Sequence, residues 1–253
     1  MADADHIYSE DQCGLIEGPF TVQRSKWVRS LEKRWARLRR RFCKSSARLR
    51  ERIVEYPLTL AAMAALPENS RIADVGGASS LLGLELTYLG HEVHVLDLRP
   101  YPMRHAKLTS HQLDLLSNDF PNDYFNAISC ISVIEHAGLE RYGGHGRPDG
   151  DLAFIQELRR LCQTDGLIIL SAPYGQGHDP STHGEPKGFR IYDKARLEKL
   201  LQGFDVKSLR FFVMDNGHWL EKNQQAADLV PTSRPIRAIF FALLGPADKG
   251  KTP

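Results

Sequence analysis

The segment RIADVGGASS, residues 71–80, sets the architecture of the chain. It opens as an apolar strand, 71–76, and breaks at Gly76-Gly77 into small residues leading to a helical stretch, 80–89, that Gly90 stops. A second strand follows at 92–98 (EVHVLDL). Strand, glycine turn, helix and strand form a parallel βαβ unit, and the rhythm continues downstream. Strands are expected at 108–113, 125–133 (FNAISCISV), 167–172 (LIILSA), 206–214 and 236–244, with helices at 151–162 and 193–201. Seven strands alternating with helices imply an α/β fold with a doubly wound, mostly parallel sheet. The step from 98 to 108 is short for a crossover helix. The interval 215–235 has weak periodicity and is expected to be an insertion before the last strand.

Upstream, an apolar helical stretch at 53–66 is closed by Pro67. The preceding residues differ in charge. Residues 1–20 carry five acids and no Lys or Arg, whereas 21–52 carry 13 Lys and Arg against Glu32 and Glu51. Within that block Trp27, Leu31, Trp35, Leu38 and Phe42 recur at helical spacing, so a basic amphipathic helix is expected. Such a helix can grip an anionic partner, lie on an anionic membrane surface, or pack its apolar face and leave its arginines solvated. The expected organisation is an acidic tail plus basic helical extension over 1–52 and one α/β domain over 53–253.

With 253 residues, 42% of them hydrophobic and 25% charged, the chain can bury a core without staples, which excludes collagen, coiled-coil and wholly disordered classes. The longest apolar runs, 60–66 and 238–244, fall short of the roughly 20 residues that cross a bilayer. The first residues, MADADH, are acidic where a secretory signal would be basic. Cys13, Cys43, Cys130 and Cys162 form no C-x-x-C pair. The expectation is a cytoplasmic protein with no transmembrane segment.

In doubly wound sheets, ligands bind beyond the carboxyl ends of the strands. There the turn of Asp74, Gly76, Gly77 and Ala78 lets backbone approach a ligand closely. The second strand ends in Asp97, 21 residues after Gly76, where an acid can accept hydrogen bonds from both ribose hydroxyls of an adenosine ligand. After the third strand, Asp114-Leu115-Leu116 offers an acceptor for an adenine amino group and an apolar cover for the ring. The nicotinamide fingerprint G-x-G-x-x-G is not met, because the chain has G-G-A-S-S-L from Gly76.

These features together resemble the class I S-adenosyl-L-methionine (SAM)-dependent methyltransferase family, whose first motif runs Asp-x-Gly-x-Gly. The resemblance covers about residues 68 to 214. Ala78 stands where the family has its second glycine, and Ser80 departs from a further one. The resemblance implies a Rossmann-like methyltransferase fold and SAM as cofactor, held by Asp74, Gly76, Gly77, Ala78, Asp97, Leu98, Asp114, Leu115 and Ser132. After the fourth strand, SVIEHAGLERYG at 132–143 is similar to a bacterial methyltransferase group associated with glycan or secondary-metabolite modification. The Pro-Pro-Tyr signature of base-amine methylation is missing there, which favours oxygen as the methylated atom.

Methyl transfer to a hydroxyl needs a base near neutrality, and His136 is the candidate, with Glu135 orienting it or lining the cofactor pocket. Each has a structural alternative: His136 as an anchor of its turn, and Glu135 as a charge at a helix start. Glu135-His136 also resembles the tail of an E-x-x-E-H metal site in quinone-precursor O-methyltransferases, but Ser132 replaces the first acid, so no metal is expected. Arg141, Tyr142, His178, His183 and Trp219 are the candidates for the acceptor side. The expected acceptor is a sugar, glycan or other small hydroxylated metabolite. A non-catalytic binding or regulatory protein with this fold, and an RNA methyltransferase using 21–52 as an arm, are the alternatives.

Overall fold

A computed structural model describes residues 50–139, 147, 149–180, 188–232 and 235–247. The chain divides into two compact units. One comprises residues 1–50 with 216–218; the other comprises 51–215 with 219–253 and holds the site residues discussed below. The expected basic helix at 21–52 lies almost wholly outside the described residues. No helix among the described residues is long and apolar enough to cross a membrane.

The larger unit begins with helix α1, Arg52–Met63. Strand β1, Arg71–Val75, is followed by α2, Leu82–Tyr88, and β2, Glu92–Asp97. Then come β3, Leu108–Gln112, β4, Phe125–Ile131, α3, Gly150–Leu161, and β5, Cys162–Pro173. Helix α4, Lys194–Leu201, precedes β6, Phe204–Asp215, β7, His218–Lys222, α5, Gln224–Asp228, and β8, Ala238–Pro246. The sheet has eight strands in the order β3-β2-β1-β4-β5-β8-β6-β7. Strands β3 to β5 pair in parallel, and β8 inserts antiparallel between β5 and β6.

Parallel strands covered on both faces are buried nearly throughout, and β1, β2 and β4 follow that rule. The outer strand β3 is largely exposed. Behind β4 and β5, α3 contributes Phe154, Ile155, Leu158 and Leu161, buried at helical spacing against Ile128, Cys130, Ile168 and Leu170. Helix α4 starts at Asp193, whose side chain accepts the Arg196 amide at 2.8 Å.

Two sequence expectations are corrected. There are eight strands, not seven: β7 lies in the interval taken for an insertion, and its five residues, HWLEK, are too few to show a period. As the short step from 98 to 108 implies, no helix connects β2 to β3; an antiparallel bridge between His105 and Leu108 leads the chain into β3. Strand β5 begins at Cys162, five residues before the expected start at 167, with a register shift between the Phe125–Cys162 and Ala127–Leu167 pairs.

Strand order reverses at β1, which has β2 on one side and β4 on the other. The crevice at the carboxyl ends of β1 and β4 is where this topology places a ligand.

Candidate active site

The β1 turn requires its glycines. Gly76 is left-handed (φ 74°), donates its amide to the Leu96 carbonyl at 2.7 Å, and faces Val133 so closely that a Cβ would collide with it. A Cβ on Gly77 would meet the Asp74 carboxylate and Val95. The turn then makes a single 3₁₀ stretch, Gly77–Ser79, before Ser80 breaks it in extended geometry; Ser80 Oγ accepts the Leu82 amide at 2.8 Å. Asp74 is buried, and its Oδ1 accepts from Ser129 Oγ at 2.9 Å. Its Oδ2 is buried without a well-formed hydrogen bond. Burial pushes this carboxyl up to about 7, against the Ser129 hydroxyl and the Gly83 amide, which favour the charged form.

At the end of β2, Asp97 is buried and fully engaged. Its Oδ1 accepts the Arg99 amide at 2.9 Å and Arg99 Nε at 3.2 Å; its Oδ2 accepts the Ala78 amide at 2.9 Å and an Arg99 guanidinium nitrogen at 3.3 Å. The guanidinium also reaches Ser79 Oγ at 3.0 Å. Leu98 is half-buried beside it. Asp114, half-buried, caps a short turn, its Oδ1 accepting the Leu116 amide at 3.0 Å. Leu115 is buried in the core, so Leu116, half-buried, is the better placed of the pair to cover a ring.

At the end of β4, Ser132 holds a left-handed conformation (φ 49°), uncommon for a residue with a side chain. Its hydroxyl donates to Glu55 Oε1 at 2.7 Å, and Ser171 Oγ at the end of β5 donates to the same oxygen at 2.7 Å. Arg52 Nη1 donates to Glu55 Oε2 at 2.6 Å and to the Ile131 carbonyl at 3.2 Å. The Ser132 hydroxyl is therefore committed to α1. Burial raises the Glu55 carboxyl, while Arg52, Ser171 and Ser132 oppose the rise.

Ser132 leads into the 3₁₀ turn Ile134–His136. Glu135 is buried with Oε2 lacking a hydrogen bond, and burial pushes its carboxyl up to about 8. His136 is half-buried; Nδ1 lies 3.4 Å from the Gly188 carbonyl, Nε2 lies 3.9 Å from Glu135 Oε1, and the ring meets Phe189 edge to face. Behind this turn, buried Asp151 accepts from Arg196 Nε at 3.1 Å, Arg196 Nη2 at 2.5 Å and Tyr192 Oη at 3.1 Å. Arg190, equally buried, lies 3.9 Å from Asp151 and donates to the Ala137 carbonyl at 2.6 Å.

Asp74, Gly76, Gly77, Ala78 and Asp97 thus meet at one strand-end crevice, and Glu135 and His136 follow β4 next to it. Arg141, Tyr142 and His183 lie outside the described residues. His178 is half-buried and pairs through its backbone with Ile191, and Trp219 is buried. Among the described residues no group of three or more His, Cys, Asp or Glu is arranged to hold a metal ion. Sequence reasoning missed Arg52 and Glu55. The signal was there: Glu55 falls with Val54, Thr59 and Met63 on the buried face of α1, where an acid needs a partner.

The parallel β3-β2-β1-β4-β5 order, an antiparallel β8, a glycine turn after β1 and an acid ending β2 define the class I SAM-dependent methyltransferase fold. Within that class the chain belongs to the family described as "Caenorhabditis protein of unknown function, DUF268", which matches residues 101–227. It is also 30% identical over 131 residues to the ubiquinone biosynthesis O-methyltransferase of Xanthomonas campestris pv. campestris, covering 46% of this chain and 54% of the relative. The chain thus spans about half the length of the curated relatives it matches. Among solved structures, it is similar to the 1,6-didemethyltoxoflavin-N1-methyltransferase of Burkholderia thailandensis, bound to its namesake ligand and S-adenosylhomocysteine. That match has TM-score 0.54 and 13% identity, over 92% of this chain and 94% of the other. A SAM-dependent methyltransferase from Methanosarcina mazei matches with TM-score 0.52 and 15% identity, over 79% and 98% of the two chains. At these identities the likeness is one of fold.

Proposed function

We propose that the chain is a SAM-dependent methyltransferase that methylates an oxygen of a small hydroxylated acceptor. The observation that carries this reading is the pair of buried carboxyls at neighbouring strand ends, Asp74 and Asp97, on either side of a turn whose glycines leave no room for side chains.

The residues fit the cofactor. Asp74 Oδ2, buried and without a well-formed hydrogen bond, suits the methionyl ammonium. Asp97 suits the ribose hydroxyls, which take the positions that the Arg99 guanidinium occupies. Asp114 Oδ2 suits the adenine amino group. Both hydrogen bonds of Arg52 are made by Nη1, so Nε and Nη2 remain for the methionyl carboxylate. The cofactor supplies a methyl group on a sulfonium. His136, whose Nδ1 lies 3.4 Å from the Gly188 carbonyl, is the base that takes the acceptor's hydroxyl proton as the acceptor oxygen gains the methyl group and S-adenosylhomocysteine leaves. Oxygen as the target is supported by this histidine, by the lack of a base-amine signature, and by the name of the Xanthomonas relative. Sugars and glycan fragments are the first acceptors to screen.

Calorimetric titration with S-adenosylhomocysteine tests the reading. Binding is expected in the micromolar range, roughly −8 kcal/mol, and Asp97→Asn is expected to weaken it by about tenfold or more. Absence of binding at millimolar ligand overturns the assignment. With binding established, transfer of labelled methyl to an acceptor panel tests the choice of oxygen, and His136→Ala should then lower turnover by about a hundredfold or more.

A further inference from the structure

The carboxyl of Glu55 has both oxygens hydrogen-bonded, yet it contributes no atom to the surface a ligand would meet. It is fully buried, and its three partners belong to three different elements. Arg52 lies one turn earlier on α1, Ser132 follows β4, and Ser171 lies near the end of β5. Each partner has a second commitment at the site. Arg52 reaches the Ile131 carbonyl and leaves Nε and Nη2 for a ligand. Ser132 sits in the left-handed conformation from which the chain enters the Ile134–His136 turn, and its amide is bonded to the Ser171 carbonyl at 3.0 Å.

A purely structural tie between helix and sheet could use apolar side chains of similar volume at lower desolvation cost. A carboxylate here does what apolar groups cannot. It aims a guanidinium by charge and direction, and it holds a serine in backbone geometry that favours glycine. Arg52 also acts by charge on Asp74 and on Glu135, each of which has a carboxyl oxygen buried without a well-formed hydrogen bond.

We infer that Glu55 is a positioning residue for the amino-acid end of the cofactor, aiming Arg52 at the methionyl carboxylate and fixing the Ser132 turn that carries Glu135 beside the ammonium. This rests on the reading of the crevice as a SAM site. It adds that α1 is part of that site and that Glu55 acts through Arg52 without touching the ligand.

Two ligands separate this role from a structural one. S-adenosylhomocysteine has the amino-acid end, whereas 5′-methylthioadenosine keeps the adenosine and sulfur and lacks it. Calorimetry on the full chain is expected to show Glu55→Ala weakening S-adenosylhomocysteine by about tenfold or more. Glu55→Gln, which keeps a carbonyl acceptor for the serines but loses the charge facing Arg52, should weaken it less. Methylthioadenosine should change by no more than about twofold in either variant, in keeping with a site whose adenosine half is intact. The Arg52→Ala/Glu55→Ala double variant should lose less S-adenosylhomocysteine affinity than the sum of the two single losses, because part of the Glu55 effect runs through Arg52.

Equal losses for both ligands, or additive losses in the double variant, would mean that Glu55 merely supports the fold, and the inference falls. Unchanged S-adenosylhomocysteine binding also overturns it. If Glu55→Ala fails to fold, the glutamine variant and its ratio of the two affinities decide the matter. Should the unmodified chain bind neither ligand, the SAM reading itself is wrong and the inference goes with it; binding of both ligands with no selective loss sinks the inference alone.

Discussion

Asp74 and Glu135 carry protons at pH values where ordinary carboxyls have lost them. Unfolded, an aspartate titrates near 3.9 and a glutamate near 4.3. In the fold, burial moves these two to about 7 and about 8. Glu55 is moved in the same direction, and Arg52, which faces both Glu55 and Glu135, opposes the rise without cancelling it. Between the unfolded and folded values the native state binds more protons than the unfolded chain, so stability falls as pH rises. The stabilisation from these protons is complete below about pH 4 and lost by about pH 8. Thermal melts of the ligand-free chain should therefore give a Tm that declines from pH 5 to pH 8. Glu135→Gln removes one titrating group, and its share of the slope is on the order of a few kcal/mol. A glutamine variant with the same decline as the unmodified chain would show that Glu135 does not hold its proton in the fold.

At the scale of elements, the turn after β4 is held from behind by the segment that leads into α4. Asp151, at the start of α3, gathers Arg196, Tyr192 and Arg190, while the Arg190 amide donates to the Glu135 carbonyl at 3.0 Å. Asp151 and Arg190 are both shielded from solvent. Removing one member of such a buried set leaves a charge without compensation, which costs about 3–5 kcal/mol. Asp151→Ala should thus lower the Tm by roughly 10 °C, given about 2–4 °C per kcal/mol for a chain of this size. A drop of only a degree or two would show that Asp179, 3.3 Å from Arg190 Nε, suffices alone. The same contrast explains what was legible in the sequence. Asp74, Gly76, Asp97, Glu135 and His136 are visible as candidates because each lies at the end of a strand or within a few residues after it, so local pattern locates them. The Ser132 position was found in the same way, but its partner was not. The bonds from Glu55 to Ser132 and Ser171 span 77 and 116 residues, and no local periodicity records where α1 docks. Leu115 differs again: its place after β3 was legible, but its burial in the core is set by packing.

Over the whole molecule, the sheet's parallel half was written in buried β-branched runs, whereas its antiparallel half depends on β8 returning between β5 and β6, a pairing that strand content alone cannot order. The division of the chain was placed in the sequence at 52/53, a boundary that separates Arg52 from Glu55. The contact units divide after residue 50 and keep both on the same side as the sheet. These two boundaries make different predictions for truncated chains. The unit of residues 51–215 with 219–253 contains every side chain given to the adenosine and amino-acid ends of the cofactor. Deleting 1–49 should leave S-adenosylhomocysteine affinity within about threefold, because every side chain given to the cofactor lies beyond residue 50. Deleting 1–56 removes Arg52 and Glu55 and exposes Ser132 and Ser171 without their acceptor. That chain, if folded by circular dichroism, should retain methylthioadenosine binding and lose about tenfold or more in S-adenosylhomocysteine affinity. A loss already complete in the 1–49 deletion would assign the acidic and basic N-terminal stretches to the site and place the functional boundary elsewhere. If both truncated chains bind S-adenosylhomocysteine as the full chain does, neither Arg52 nor Glu55 serves the cofactor, and the crevice is built by the sheet alone.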